Sequence, residues 1–399
     1  MATAIYIMLF SKDKTLKFIP KNADVVVLVD VKNVTREYIY ALAAHPSEWF
    51  KSGEKNKKRI SVHKSGMKIP DFIQIFHLKN AQFGDWYTIL ELEDEAKFSQ
   101  FLIQNKFIRN GEKLFLKDGI FISIEGKMCI IGTSNAAFEN IRKEFLSKRE
   151  INILNADQFI KNSTGSISYI SESKITNFLI NLNSEDIEVK SSENTDDFES
   201  LILKIQQNKH FLEAELDEKN VKNGLQLFNK ELKDSLEINY FKASSELEEV
   251  NDTIVSYGYD DNFNEIEKVS YQKIVQPNFI ISLQSSNPDK TWKFFQNKKW
   301  INNHDQFTAI PIQPNQIVAK GKDIVIRSTR TSVQLPQNQN ANYVFLKNSK
   351  LLSSSFHQLN PAQKKILSNI DYIFYGNKAQ DYFIKIKFTK NELPLLLRL

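Results

Sequence analysis

The chain is short of the residues that most chemistries draw on. One cysteine, Cys129, stands in 399 residues, so no intramolecular disulfide can form and no cysteine-based zinc site can be assembled. Twelve glycines and ten prolines make about 5.5% of the chain against a usual ~12%, leaving little material for the glycine loops that cradle phosphates. No glycine-rich loop ending in Lys-Ser/Thr, no dinucleotide fingerprint, no nucleophile elbow and no HExxH pair occurs. The six histidines (His45, His63, His77, His210, His304 and His357) are dispersed, and no two stand four apart as a helical metal pair requires. No run approaches the ~20 apolar residues of a membrane span. No catalytic, cofactor-binding or metal-ligating residue is therefore assigned from the sequence.

Charge of one sign is also scarce. Lys and Arg number 53 and Asp and Glu 48, a net +5 that is too weak over this length to imply nucleic acid. The one basic cluster, Lys55, Lys57, Lys58, Arg59, Lys64 and Lys68, contains Glu54 and lacks interleaved aromatics, so it reads as a solvated loop more than a nucleic-acid or anionic-lipid patch. Asp260-Asp261-Asn262-Phe263-Asn264-Glu265 resembles a calcium loop but has Glu265 in place of the turn glycine and Tyr271 in place of the bidentate glutamate. It reads as an acidic hairpin tip. Glu91 and Glu93 fall on one side of an alternating strand, as solvent-facing charge does. Cys129, in the apolar run 127–131, reads as a small buried hydrophobe.

With 41% apolar and 25% charged residues the chain has the composition of a folded body, and its length suits two or three domains. Residues 25–29 are a β-branched run that reads as a strand buried on both faces, followed by a helix capped by Asn33 and ending before Pro46. Residues 71–79 and 88–92 read as strands. Phe98, Phe101 and Leu102 then follow helical spacing, and three strands at 114–116, 120–124 and 128–131 precede a helix bearing Phe138, Ile141 and Phe145. Residues 181–200 read as a solvated loop and 247–267 as an acidic stretch interrupted by a strand at 254–257. Residues 370–375 and 383–388 read as strands, with a helix start at Asn360-Pro361 and an apolar tail at 393–399 that should dock on the body or on a partner.

Parts of this pattern recur. QNKFIRN at 104 answers QNKKWINN at 296, the strand from Tyr87 answers that from Phe279, and IFISIEGKMCIIGTS from Ile120 lines up with NQIVAKGKDIVIRST from Asn315. HFLEAELDEKNVKNGLQLF from His210 is a weaker strand-to-helix match. The expected fold is α+β, two tandem related modules of antiparallel sheet with helices packed on one face: 18–155, then 156–399 with acidic loop insertions.

Residues 2–10 are apolar except for Thr3 and give way at once to Ser11-Lys12-Asp13-Lys14. Residues 1–17 therefore read as the trailing part of a signal anchor and its tether. With Phe18-Ile19-Pro20-Lys21-Asn22-Ala23-Asp24 leading into the strand at 25–29, this opening resembles envelope proteins of Gram-negative bacteria that carry an N-terminal anchor. The resemblance implies an extracytoplasmic, membrane-anchored body on the periplasmic side. The chain departs from the lipoprotein form, because no cysteine follows the apolar segment. The expectation is a non-enzymatic envelope-exposed binding or scaffold protein whose partner is an envelope protein or an apolar ligand. The alternatives are a hydrolase or transferase with a site assembled from dispersed residues, and a cytoplasmic nucleic-acid binder through the loop from Lys55 to Lys68.

Overall fold

The computed structural model describes residues 9–48, 64–111, 113–146, 153–171, 174–191, 195–228, 237–259, 263–310, 315–349, 351–352 and 367–398. Among them the fold is α+β and the strand pairings within each unit are antiparallel. The chain forms two compact units, one of residues 1–191 and 391–399 and the other of residues 192–390. Among the described residues no helix is long and apolar enough to cross a membrane, and the apolar segment at 2–8 lies outside them.

The first unit contains β1 (Thr15–Leu16), β2 (Ala23–Asp30), α1 (Val31–Ala44), β3 (Phe72–Leu78), β4 (Tyr87–Glu91), α2 (Glu95–Gln104), β5 (Ile108–Arg109) and β6 (Leu114–Lys117). It continues with β7 (Ile120–Glu125), β8 (Met128–Gly132), α3 (Phe138–Leu146), β9 (Leu154–Asn155), β10 (Gly165–Ser171), β11 (Lys174–Leu182) and β12 (Asp186–Lys190). Its sheet runs β5-β6-β7-β8-β4-β3-β2-β10-β11-β12. Asp118 and Gly119 both take positive φ at the tight β6–β7 turn, the backbone a two-residue hairpin loop needs. Because β10 pairs with β2 from Gly165↔Val29 to Tyr169↔Val25, residues 165–190 belong to the first unit, and the units divide at 191/192, not at the expected 155/156.

The second unit contains α4 (Asp196–Ile205), β13 (Leu212–Asp217), α5 (Glu218–Phe228), β14 (Ile238–Tyr259), β15 (Glu265–Ser285), α6 (Pro288–Asn297) and β16 (Asn315–Lys320). β17 (Asp323–Ser328), β18 (Asn342–Lys347), β19 (Ile370–Lys378) and β20 (Asp381–Phe388) complete it. Its sheet runs β16-β17-β15-β14-β13-β18-β19-β20. The apolar tail forms α7 (Leu395–Arg398), whose Leu395 is buried and donates its backbone N–H to Ser184, so the tail docks on the first unit.

Helices cover both faces of each sheet, contrary to the one-face expectation. In the first unit Cys129, Ile122 and Ile124 face Phe98 and Leu102 of α2, while Ile130, Ile89, Tyr87, Val26 and Leu28 face Phe138 and Ile141 of α3. In the second, Ile324, Ile326, Leu283 and Ile317 pack with Phe295 of α6, and Tyr343, Phe345 and Phe374 pack on the other side with Phe198 and Ile202 of α4. The cause is visible in strands such as MCIIG, where successive residues are apolar and successive side chains point to opposite faces.

Local expectations fail where a cap or a half-buried strand was misread. α1 starts at Val31, because the Asp30 side chain accepts from the Asn33 backbone N–H at 2.8 Å; Asn33 is not the cap. Along β2, Val26 and Leu28 are buried while Val25, Val27 and Val29 are only partly so. The supposed loop at 181–200 contains β12 and the start of α4, whose Phe198, Leu201, Ile202 and Ile205 make one buried stripe. The helix start at Asn360-Pro361 lies outside the described residues.

Candidate functional site

The residues singled out by the sequence do not assemble into a reactive site. Cys129 is buried in β8, and burial pushes its thiol up to about 12, far from a nucleophile at neutral pH. His45 Nδ1 lies 2.8 Å from the Ala41 carbonyl, and His77 bridges Asp24 (2.7 Å) and the Gln82 carbonyl (3.0 Å). Residues 51–63, with Lys55, Lys57, Lys58, Arg59 and His63, and residue His357 lie outside the described residues. Lys68 pairs with Glu91 at 2.5 Å. Among the described residues no three His, Cys, Asp or Glu side chains are placed to hold a metal ion.

A cavity of about 340 Å³ in the first unit is lined by Lys12, Lys14, Asp30, Arg36 and Asp157 among others. Its charges are spoken for. Lys12 pairs with Asp30, Lys14 with Asp157 at 2.8 Å, and Arg36 donates to the Leu9 carbonyl and to Asn33.

A buried polar cluster of the second unit went unnoticed in the sequence. Glu213 and Glu215 lie on one side of β13, two residues apart, and are only 1% and 2% exposed. Glu213 Oε1 accepts from Asn208 Nδ2 and lies against His210 Nδ1, both at 2.6 Å. Glu215 Oε1 accepts from the Tyr240 hydroxyl, and its Oε2 accepts from the Gln339 backbone N–H at 3.0 Å with Lys242 Nζ at 3.9 Å. Lys242 Nζ also reaches the Pro336 carbonyl at 3.4 Å. Burial first, and the charges of Glu213 and Glu215 next, raise the Tyr343 phenol far above its usual range; burial and Glu215 do the same to Tyr240.

This network clamps residues 336–339 onto the sheet. Both Glu215 oxygens already accept hydrogen bonds, from the Tyr240 hydroxyl and the Gln339 backbone N–H. Its signal in the sequence is the pair Asp30-Val31-Lys32-Asn33-Val34 and Asp217-Glu218-Lys219-Asn220-Val221, each a strand end leading into a helix. Aligning them sets Glu213 and Glu215 against Val26 and Leu28, which are core residues.

Among the described residues the longest strands are β14 and β15, a hairpin whose strands have 22 and 21 residues. Only its base belongs to the body: β14 pairs with β13 over residues 240–245, and β15 with β17 over residues 280–284. Beyond these pairings Glu246 and Glu248 still meet His210 and Arg330 and Val250 is buried, so residues 251–259, paired with 265–273, form the clear two-stranded ribbon, about 30 Å long at ~3.3 Å per residue. One of its faces carries the cross-strand pairs Thr253–Tyr271, Val255–Val269, Tyr257–Glu267 and Tyr259–Glu265. Tyr257, Tyr259 and Tyr271 are 68%, 70% and 75% exposed, and Phe263 near the tip is 86% exposed. The supposed calcium loop is part of this tip; residues 260–262 of it lie outside the described residues.

Comparison with known proteins finds no matching family model, no similar curated protein and no similar solved structure.

Proposed function

We propose that the chain is a duplicated α+β module working as a non-enzymatic binding protein of the bacterial envelope, and that the β14–β15 ribbon is the element that meets its partner. The duplication is supported by strand order. Reading β2, β3, β4, β7, β8, β10, β11 and β12 against β13, β14, β15, β16, β17, β18, β19 and β20 makes the two sheets run alike, strand for strand. The Asp caps match as well: Asp30 accepts from the Asn33 N–H at 2.8 Å and Asp217 from the Asn220 N–H at 2.9 Å.

The observation that carries the functional reading is the contrast between corresponding hairpins. β3 and β4 have seven and five residues, whereas β14 and β15 have 22 and 21. An isolated two-stranded ribbon is marginally stable alone, and a row of exposed aromatic and β-branched side chains on it is what an interface supplies cover for. A photo-crosslinking residue at Tyr257 in the full chain is expected to give a discrete adduct in cells, absent when the same residue replaces exposed Lys79. No adduct at Tyr257 sinks the reading. The envelope location rests on the N-terminal resemblance. Protease added to spheroplasts digests the body if it is right and leaves it intact if it is wrong.

A further inference from the structure

We infer that the partner of the ribbon is a second copy of this chain, each ribbon lying across the basic edge of the other copy's second unit. The inference rests on reading the ribbon as the partner-contact element and names what it meets. Charge is the first reason. Residues 246–276 hold eight carboxylates and two lysines, whereas residues 288–330, from α6 to just past β17, hold eight Lys and Arg against three Asp. A chain that is nearly neutral overall is thus sharply divided, with an acidic arm beside a basic edge. Opposite fields of this kind draw two copies together and set their register.

The side chains fit that division. The pairs Tyr257–Glu267 and Tyr259–Glu265 set an aromatic ring next to a carboxylate on one ribbon face, a combination that suits an ammonium or guanidinium group. On the basic edge, Lys293 of α6, Lys299 just after it, and Lys320 and Lys322 at the β16–β17 turn are exposed, and none makes an ion pair with a described residue. β16 is the outermost strand of its sheet. Among the described residues its outer side is met by segment 305–307, through the bridge Gln306–Gln316 and the Phe307 N–H to Asn315 and Ile317 N–H to Asp305 bonds, while its Val318 is 44% exposed.

Size and symmetry agree. A ribbon face about 30 Å by about 10 Å offers roughly 300 Å², and covering it hides as much again on the other copy. Two exchanged ribbons would bury roughly 1,200 Å² in all, at the lower bound of the ~1,600 ± 400 Å² range of stable interfaces. Reciprocal exchange is isologous and closes at two copies, so it makes a dimer and not a filament.

The test is sedimentation velocity on the full chain. A dimer is expected at about 10 μM in low salt, with a dissociation constant rising at least about tenfold at ~0.5 M salt as the charges are screened. Glu265→Lys/Glu267→Lys should abolish it, and so should Lys320→Glu/Lys322→Glu. Mixing these two reversed variants should restore it, since each ribbon then meets a surface of opposite sign. Both sets lie at exposed positions, and unchanged circular dichroism melts verify their folding. A chain that stays monomeric in low salt, a dimer indifferent to either reversal, or mixed variants that fail to associate overturns the inference. The Tyr257 crosslink separates the two levels. An adduct at twice the chain mass supports the dimer, and an adduct only to a different protein overturns the dimer while leaving the binding function standing. No adduct overturns both.

Discussion

Replacing Glu215 by leucine tests whether the polar cluster of the second unit is a clamp. The substitution removes the acceptor of the Tyr240 hydroxyl and of the Gln339 N–H, and it strips Lys242 of the carboxylate 3.9 Å away. Each neutral donor left buried costs roughly 1–3 kcal/mol, and breaking one side of a buried ion pair costs about 3–5 kcal/mol. These do not add, because the 336–339 segment can lift and admit water, and the new leucine regains roughly 2 kcal/mol by burial. A net loss of about 2–3 kcal/mol is expected. On the proposed duplication the first unit indicates how to reverse it, because the cross-strand pair at the matching place there is Leu28 opposite Gln74. Glu215→Leu/Lys242→Gln should recover about half of the loss, since no orphaned cation remains. The assay is urea unfolding followed by Trp292 and Trp300, both in the second unit, in a background with Trp49 and Trp86 changed to Phe. A single-variant loss below about 1 kcal/mol, or no recovery in the double variant, refutes the clamp.

Other outcomes follow from named contacts. Cys129, its thiol pushed up to about 12 by burial, should resist maleimide in the folded chain and react at once in urea; labelling of the folded chain at neutral pH would contradict the packing. For His77, burial disfavours the charge, but the Asp24 carboxylate and the Gln82 carbonyl outweigh it, so its pKa is raised above 6.5. Its stabilising share is complete below pH 6.5 and is lost as pH rises through the higher folded value, so His77→Gln should flatten the pH dependence of first-unit stability above 6.5. Proton NMR of the ring checks the direction independently. Gly376→Ala would set a Cβ 2.6 Å from the Phe198 ring, and a loss of about 1–3 kcal/mol in the second unit's urea transition is expected.

Much of the fold could be read from local chemistry. The Asp118-Gly119 turn, the hairpins on either side of it, the buried thiol and the α+β class all follow from alternation and turn residues. Part of what was lost was lost to one-residue effects. The strand at Tyr87 was set against that at Phe279 by letters, but pairing sets Leu90 opposite Cys129 and Leu283 opposite Ile324, so the matching register is one residue away. A slip of one exchanges the two faces of a strand. The burial of Glu213 and Glu215 has another cause, because alternating glutamates on a strand are ordinarily its wet side and periodicity alone does not mark them as buried. Only the tertiary partners Asn208, His210, Tyr240 and Gln339 make burial tolerable, and none is implied by strand periodicity.

On the proposed duplication, the first unit serves as a control for the second. The side of the first sheet that carries Val26, Leu28, Ile89 and Ile130 is sealed by Phe138 and Ile141 of α3. At the corresponding pairings the second unit has Glu213, Glu215, Ser282 and Val325, and no described helix follows β17, only residues 329–341 with Pro336 and Gln339 tied to Lys242 and Glu215. An apolar face demands a close-packed cover, whereas a polar face can be held by hydrogen bonds to an extended segment. Exchanging one for the other frees the second copy from the α3-type helix next to the strands that grow into the ribbon. The polar clamp thus stands beside the long hairpin: the first unit closes this face of its sheet with a helix, and the second closes it with hydrogen bonds next to the strands that carry the arm.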